Sequence, residues 1–427
     1  MSFGAELRRR RLASGYTLGR FAQKLNYSKS HLSKIETGAK APSPDLARRC
    51  DAALKANGDL SALVPERQRI RRPNERVVNT HPLSIDSDSH WWIRLDKDGG
   101  GEFSTAQRRD GPPPTVLETL TWAMPPADRL RGPGTDDFER YRSMFDEIRQ
   151  MGQTTTPAML LPILILQTRM LSGIAAYAQS PVREQLLGLA SRYAELTGWM
   201  AQEAGAHERA LSWTNLAVEL AAELGDHDLA AYALVRRADI AMYDRNARDT
   251  VALAQLAQAS SRTARVRGLA AQREAQGHAL AGDHDACLAA LDRAARWFDR
   301  PLDEGPLPPL GSTTIENPVE MAAGWCLYDL GLPQQAADRL RTQLDRTPIT
   351  AQRMRARLGA RLALSLVAAG ELEEGCDEAH AALDSFGRAH SATVSTDLRR
   401  LGYELNRWPT HPSVRDVMPR LAEALAP

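Results

Sequence analysis

Cysteine is scarce and scattered in this chain. Cys50, Cys287, Cys326 and Cys376 are the only four in 427 residues, with no Cys-x-x-Cys spacing and no Cys/His pairing. That pattern excludes a recognisable zinc site or disulfide framework and predicts buried thiols on helices. Aromatics are few at 6%, while apolar residues reach 43%. The apolar share is mostly Ala and Leu, a composition of packed helices rather than sheets. No run of 18 or more consecutive apolar residues occurs; the nearest, Ala158–Leu166, is short and contains Pro162. No membrane span is therefore expected. The opening stretch MSFGAELRRRRL has charge but no apolar core of the signal-peptide kind, so a cytoplasmic protein is expected.

Any frame for catalysis is missing too. The triple glycine Gly99–Gly101 has no following Lys-Ser/Thr and no strand-then-helix setting, so it is not a phosphate loop. His81, Asp86, Asp88 and His90 stand in a polar stretch that nothing holds at ligand spacing. No nucleophile, base and orienting group share one local pattern. The expectation is a protein that is not an enzyme, with no cofactor and no metal.

What is present is an uneven distribution of charge. The net charge is only +1, yet residues 1–76 hold 17 Lys+Arg against 7 Asp+Glu, a net of +10, and the remainder carries −9. A basic head on an acidic body suggests that the head meets a polyanion.

Leu18–Gly38 (LGRFAQKLNYSKSHLSKIETG) gives that suggestion a shape. Leu18, Phe21, Ala22 and Leu25 recur at helical spacing after Thr17, a plausible N-cap. Asn26 tolerates a left-handed helix end. Ser28 then caps a second short helix whose inner side is Leu32 and Ile35 and whose exit is Gly38. Ser30, Ser33, Lys34 and Thr37 point away from that inner side, and Lys29 lies on the first turn. Two short helices joined this abruptly, with lysine and serine outward, describe a helix-turn-helix.

Phe3 to about Leu63 resembles the Cro/C1-type (XRE) helix-turn-helix family, a bundle of five short helices. Helix 1 is expected over Phe3–Ser14, helix 4 after Ser43-Pro44-Asp45, and helix 5 after Gly58-Asp59. The resemblance implies that Lys29, Ser30 and Lys34 meet base edges in the major groove. It assigns Thr17, Ser28, His31, Ser33 and Lys40 to phosphates or to the edge of the contact. Arg11 and Glu36 match the family's internal ion pair, a structural role. Leu18 departs from the Gln often found at its position.

Beyond residue 66 the pattern changes. Residues 67–114 read as a linker: the basic stretch Arg67–Arg76, then Trp91–Leu95 and Glu102-Phe103 as two short strands of a small β-hairpin. Residues 115–184 read as a helical connection, with helices around Thr115–Met124, Asp136–Met151 and within Pro157–Ala178. From Gln185 to the end a grammar repeats. A long Ala/Leu helix ends at glycine, four residues follow, and a second helix opens at a small residue, as at Gly205, Gly282, Gly331 and Gly370. Tyr243-Asp244 marks a junction lacking its glycine, and Pro301–Asn317 an insertion. This array resembles tetratricopeptide repeats, implying a right-handed superhelix of helical hairpins in an otherwise all-α protein. Its aromatics, Tyr193, Trp199, Trp213, Tyr232, Tyr243, Trp297, Trp325 and Tyr328, read as packing residues more than as a binding surface.

The combination is similar to the peptide-pheromone-receptor regulators of Gram-positive bacteria. It implies a homodimer on double-stranded, palindromic operator DNA, with a peptide or small-molecule signal in the groove of the array. A protein-interaction scaffold with an accessory DNA-binding head is the alternative.

Overall fold

The computed structural model describes residues 2–64, 89–95, 101–107, 135–176, 178–301 and 307–426. The N-terminal head contains α1 (Phe3–Ala13), α2 (Leu18–Lys24), α3 (Lys29–Glu36) and α4 (Pro44–Leu54). The last three start alike, with Thr17, Ser28 and Ser43 side chains accepting from the backbone N–H groups of Arg20, His31 and Leu46. Leu7, Phe21, Leu32, Leu46 and Leu60 are all fully buried in one head core. The expected fifth helix is only a 3₁₀ turn, Ser61–Leu63. Pro65 explains this: it disfavours the helical region for the residue before it, and Val64 is extended at φ −90°, ψ 118°.

β1 (Ser89–Leu95) pairs antiparallel with β2 (Gly101–Gln107), Trp92 opposite Ser104. The Arg67–Arg76 stretch, His81, Asp86, Asp88 and the helix expected at Thr115–Met124 lie outside the described residues. α5 (Thr135–Met151) and α6 (Pro157–Ala175) follow. α6 corrects the reading of its segment as too short. Its helix runs through Pro162 for 19 residues and is, by length and composition, apolar enough to cross a membrane. It buries Leu160, Leu164, Thr168 and Leu171.

Twelve further helices are described: α7 (Val182–Glu203), α8 (His207–Ala222), α9 (His227–Tyr243), α10 (Ala247–Ser260), α11 (Ala264–Ala281) and α12 (His284–Phe298), then α13 (Pro318–Asp329), α14 (Pro333–Arg346), α15 (Gln352–Ala369), α16 (Leu372–Ala389), α17 (Ala392–Leu405) and α18 (Pro412–Ala424). α7 runs across residues 184 and 185, where a domain boundary was expected. The turn after α9 has no glycine, but Arg245 takes φ 61° in its place. Tyr193, Tyr232, Trp325 and Tyr328 are buried, which is a packing role. All four cysteines are buried, and Cys287 and Cys326 meet in one core cluster although 39 residues separate them.

Two compact units emerge, and they do not follow chain order. One comprises Met1–Gln68, Ala230–Glu304 and Pro309–Pro427; the other comprises Arg69–Leu229 with Gly305–Pro308. The head therefore belongs to the same unit as α10–α18.

Within that unit, α16 lies so tightly on α15 that a Cβ at Gly359 would stand 2.9 Å from Glu378 Oε1. Burial pushes the Glu378 carboxyl up to about 7, despite the opposing pull of Arg355 and Arg341. An ordinary Glu titrates near 4.5, so between that value and about 7 the folded chain keeps a proton that the unfolded chain has lost. This contribution to stability is full below the lower value and is lost as pH rises through the upper one. Glu378→Gln should therefore gain stability relative to wild type between pH 5 and pH 8, measured by thermal unfolding. Identical pH courses for the two proteins would contradict the assignment.

Candidate nucleic-acid interface

α3 is short, so its position depends on what its inner side touches. Leu32 and Ile35 are buried at 0% and 1% exposure. α1 approaches so closely that a Cβ at Gly4 would sit 2.3 Å from the Ile35 carbonyl oxygen. Beside this contact Arg11 grips Glu36 with two bonds, Nε to Oε1 at 2.6 Å and Nη2 to Oε2 at 2.9 Å. Arg11 Nη1 also donates to the Tyr16 carbonyl at 2.8 Å. A forked pair this buried fixes geometry, because neither ion has water to fall back on. It ties α1 to α3 and to the chain entering α2.

With the inner side held, the outer side faces solvent. Lys29, Ser30 and Lys34 are exposed along one edge of α3, and Ser28 and Thr17 are exposed at the starts of α3 and α2. Lys40 is exposed beyond Gly38, and its backbone N–H returns to the Lys34 carbonyl at 3.0 Å. His31 and Ser33 are half-buried at the margin of this surface. The His31 ring packs on Tyr27 with 5.0 Å between centroids. Burial first, then Lys40, Arg407 and Lys34, hold His31 below the usual histidine range, so it is neutral near pH 7. Asn26 takes φ 55° and turns the chain from α2 into α3.

The back of the head has partners that sequence reasoning did not find. Asn26 Nδ2 donates to the Ala369 carbonyl at 2.8 Å, at the C-terminus of α15. Arg407 donates to the Asn26 carbonyl, and its guanidinium lies 3.6 Å from the centre of the Tyr27 ring. Arg49 Nη2 pairs with Glu404 at 3.0 Å. Arg48 stands 3.7 Å from Asp329, and Arg400 reaches Asp45 at 3.3 Å and Asp329 at 3.4 Å. Burial works to raise Asp45 and Asp329, but Arg48 and Arg400 outweigh it and hold both carboxyls below the usual range. The one sequence signal for this seam was the excess of base in the head over a body rich in acid.

Residues 2–64 match a family model described as a helix-turn-helix domain. These residues form a helix-turn-helix domain. No curated protein and no solved structure matches the chain. The helix-turn-helix domain thus carries the family match by itself, and its boundaries coincide with the core from Phe3 to Leu60 and the turn that closes it.

Removing one partner of a buried pair leaves a bare charge, at a cost of about 3–5 kcal/mol, whereas a solvent-facing pair contributes about 0–1 kcal/mol. Glu36→Ala should therefore lower the opening free energy of α1 and α3 amides by about 3–5 kcal/mol in hydrogen exchange. Glu223→Ala, which removes the half-exposed partner of Arg183, should change its own surroundings by about 1 kcal/mol or less. Equal effects would refute the internal role of the Arg11–Glu36 pair.

Proposed function

We propose that this protein is a sequence-specific DNA-binding transcriptional regulator of the Cro/C1 (XRE) type, acting in the cytoplasm without catalytic activity of its own. The observation that carries the reading is the contrast across α3: Leu32 and Ile35 are buried while Lys29, Ser30 and Lys34 are exposed in a row. A helix of that kind fits a major groove about 12 Å wide and 8.5 Å deep. Lys29 and Lys34 donate to guanine O6 and N7, and Ser30 bonds either base type. Thr17, Ser28, His31, Ser33 and Lys40 serve phosphates at the margin, helped by the free N–H groups at the start of α2.

One such domain makes few base contacts, so the active species is a homodimer on a palindromic operator. The helical body, an array of tetratricopeptide type, provides the dimer contact and receives a peptide or small-molecule signal. A ligand there shifts regulation only through its different affinity for two shapes of the array. The second reading, a scaffold whose head merely localises it, draws on the same helical hairpins and expects little sequence preference in DNA binding.

Alanine at Lys29, Ser30 or Lys34 should each cost about 1–3 kcal/mol on the operator and relax preference at one base position. Binding to scrambled DNA should fall far less for Ser30→Ala, and the salt slope should drop by about 1 for each lysine removed. Affinity titrations on both DNAs at several salt concentrations decide between the readings. Equal loss on operator and scrambled DNA for all three variants favours the scaffold.

A further inference from the structure

Three hairpin turns of the body meet the head closely, two of them against its backbone and one against the Asn26 side chain. A Cβ on Gly331, between α13 and α14, would lie 2.6 Å from the Arg48 carbonyl oxygen in α4. One on Gly282, between α11 and α12, would lie 2.9 Å from the Gly58 Cα. One on Gly370, between α15 and α16, would lie 3.0 Å from the side-chain Nδ2 of Asn26. Successive hairpins of a repeat array are its moving parts, since each contacts mainly its neighbours. The head spans three of them in a row. Around the Gly370 contact, Asn26 caps the end of α15, and Arg407 holds the Asn26 carbonyl and the Tyr27 ring. Asn26 and Tyr27 immediately precede Ser28, the N-cap of α3. Through all this the DNA-facing candidates Thr17, Ser28, Lys29, Ser30, Lys34 and Lys40 remain exposed.

We infer that the docked head is the DNA-binding form, and that the three turns, with Asn26, Tyr27 and Arg407 as positioning residues, form a mount through which the array sets the aim of α3. The seam covers the back of the helix-turn-helix and leaves its outer face open, so docking and DNA binding are compatible. A change of pitch between hairpins displaces Gly282, Gly331 and Gly370 relative to one another. The head is too small and too tightly packed to stretch with them, so it gives up at least one contact. The contact nearest α3 is the Asn26–Tyr27–Arg407 cluster. Change in the array thereby reaches the start of the recognition helix without any ligand touching the head. The inference rests on the DNA-binding reading above, but part of its test does not.

The test compares full-length Gly331→Ala and Gly282→Ala with Gly225→Ala. All three glycines have positive φ (81°, 80° and 69°), so all three variants carry the same kind of backbone strain. Only Gly225 has open space around its Cβ position. A fourth variant, Asn26→Gly, keeps the φ 55° turn available and deletes only the amide that caps α15. The expected result is a loss of operator affinity of about tenfold for the Gly331, Gly282 and Asn26 variants, with Gly225→Ala near wild type. Amide exchange over residues 26–31 should speed up in the same three variants and not in the control. Wild-type affinity and exchange in all variants would overturn the inference, as would tighter operator binding, which would make the seam a cover rather than a mount. A wild-type chain that fails to bind specific DNA refutes the DNA-binding reading instead, and amide exchange still reports whether the turns hold α3.

Discussion

Five of the hairpins in the body reverse through one residue with positive φ where the first helix ends, and much of this molecule follows from that device. Gly205, Gly282, Gly331 and Gly370 supply it, and Arg245 supplies it without the freedom of glycine. The same lack of a side chain has a second consequence at Gly282 and Gly331. The head backbone comes within a distance that any Cβ would forbid. A residue type chosen for chain reversal is thus also what lets a separate structural element sit on the turns.

The head consequently has two working sides. Leu32, Ile35 and the Arg11–Glu36 pair hold α3 from within, while Arg48, Arg49 and Asp45 belong to a buried ion network with Asp329, Arg400 and Glu404. Networks of this kind add little net stability, because desolvation consumes most of the attraction. Their value is angular: guanidinium forks and carboxylates admit few relative orientations. The basic excess of residues 1–76 is therefore divided. Part of it, at Arg48 and Arg49, is neutralised inside the protein. Lys29, Lys34 and Lys40 remain exposed to act on a polyanion.

Local chemistry made several features legible. Thr17, Ser28 and Ser43 announce helix starts because a side-chain oxygen two or three residues ahead of orphan N–H groups has one obvious use. Asn26 announces a turn because few residues accept its dihedral angles. The repeat of glycine and small residue announced the helical pairs. Elsewhere an adjacent proline or a distant packing partner decides the local structure. Val64-Pro65 ends the fifth helix as a single 3₁₀ turn, which the proline rule alone predicts. α6 continues through Pro162, its sixth residue, although a proline there removes one bond of the helical ladder; Leu160, Leu164 and Leu171, buried on the same helix, supply packing that no local rule records.

By itself, the sequence determined the helical class, the helix-turn-helix with its inner and outer sides, and the places where hairpins turn. Those properties depend on residues within a few positions of one another, where spacing alone sets which side chains share a face. Tertiary structure decided that Cys287 meets Cys326, that Asn26 caps a helix more than 340 residues away, and that the head rests on three turns of the body. Long-range pairing of this kind comes from shape and from the accumulated geometry of every helix between the partners, and no local pattern of residue types records it.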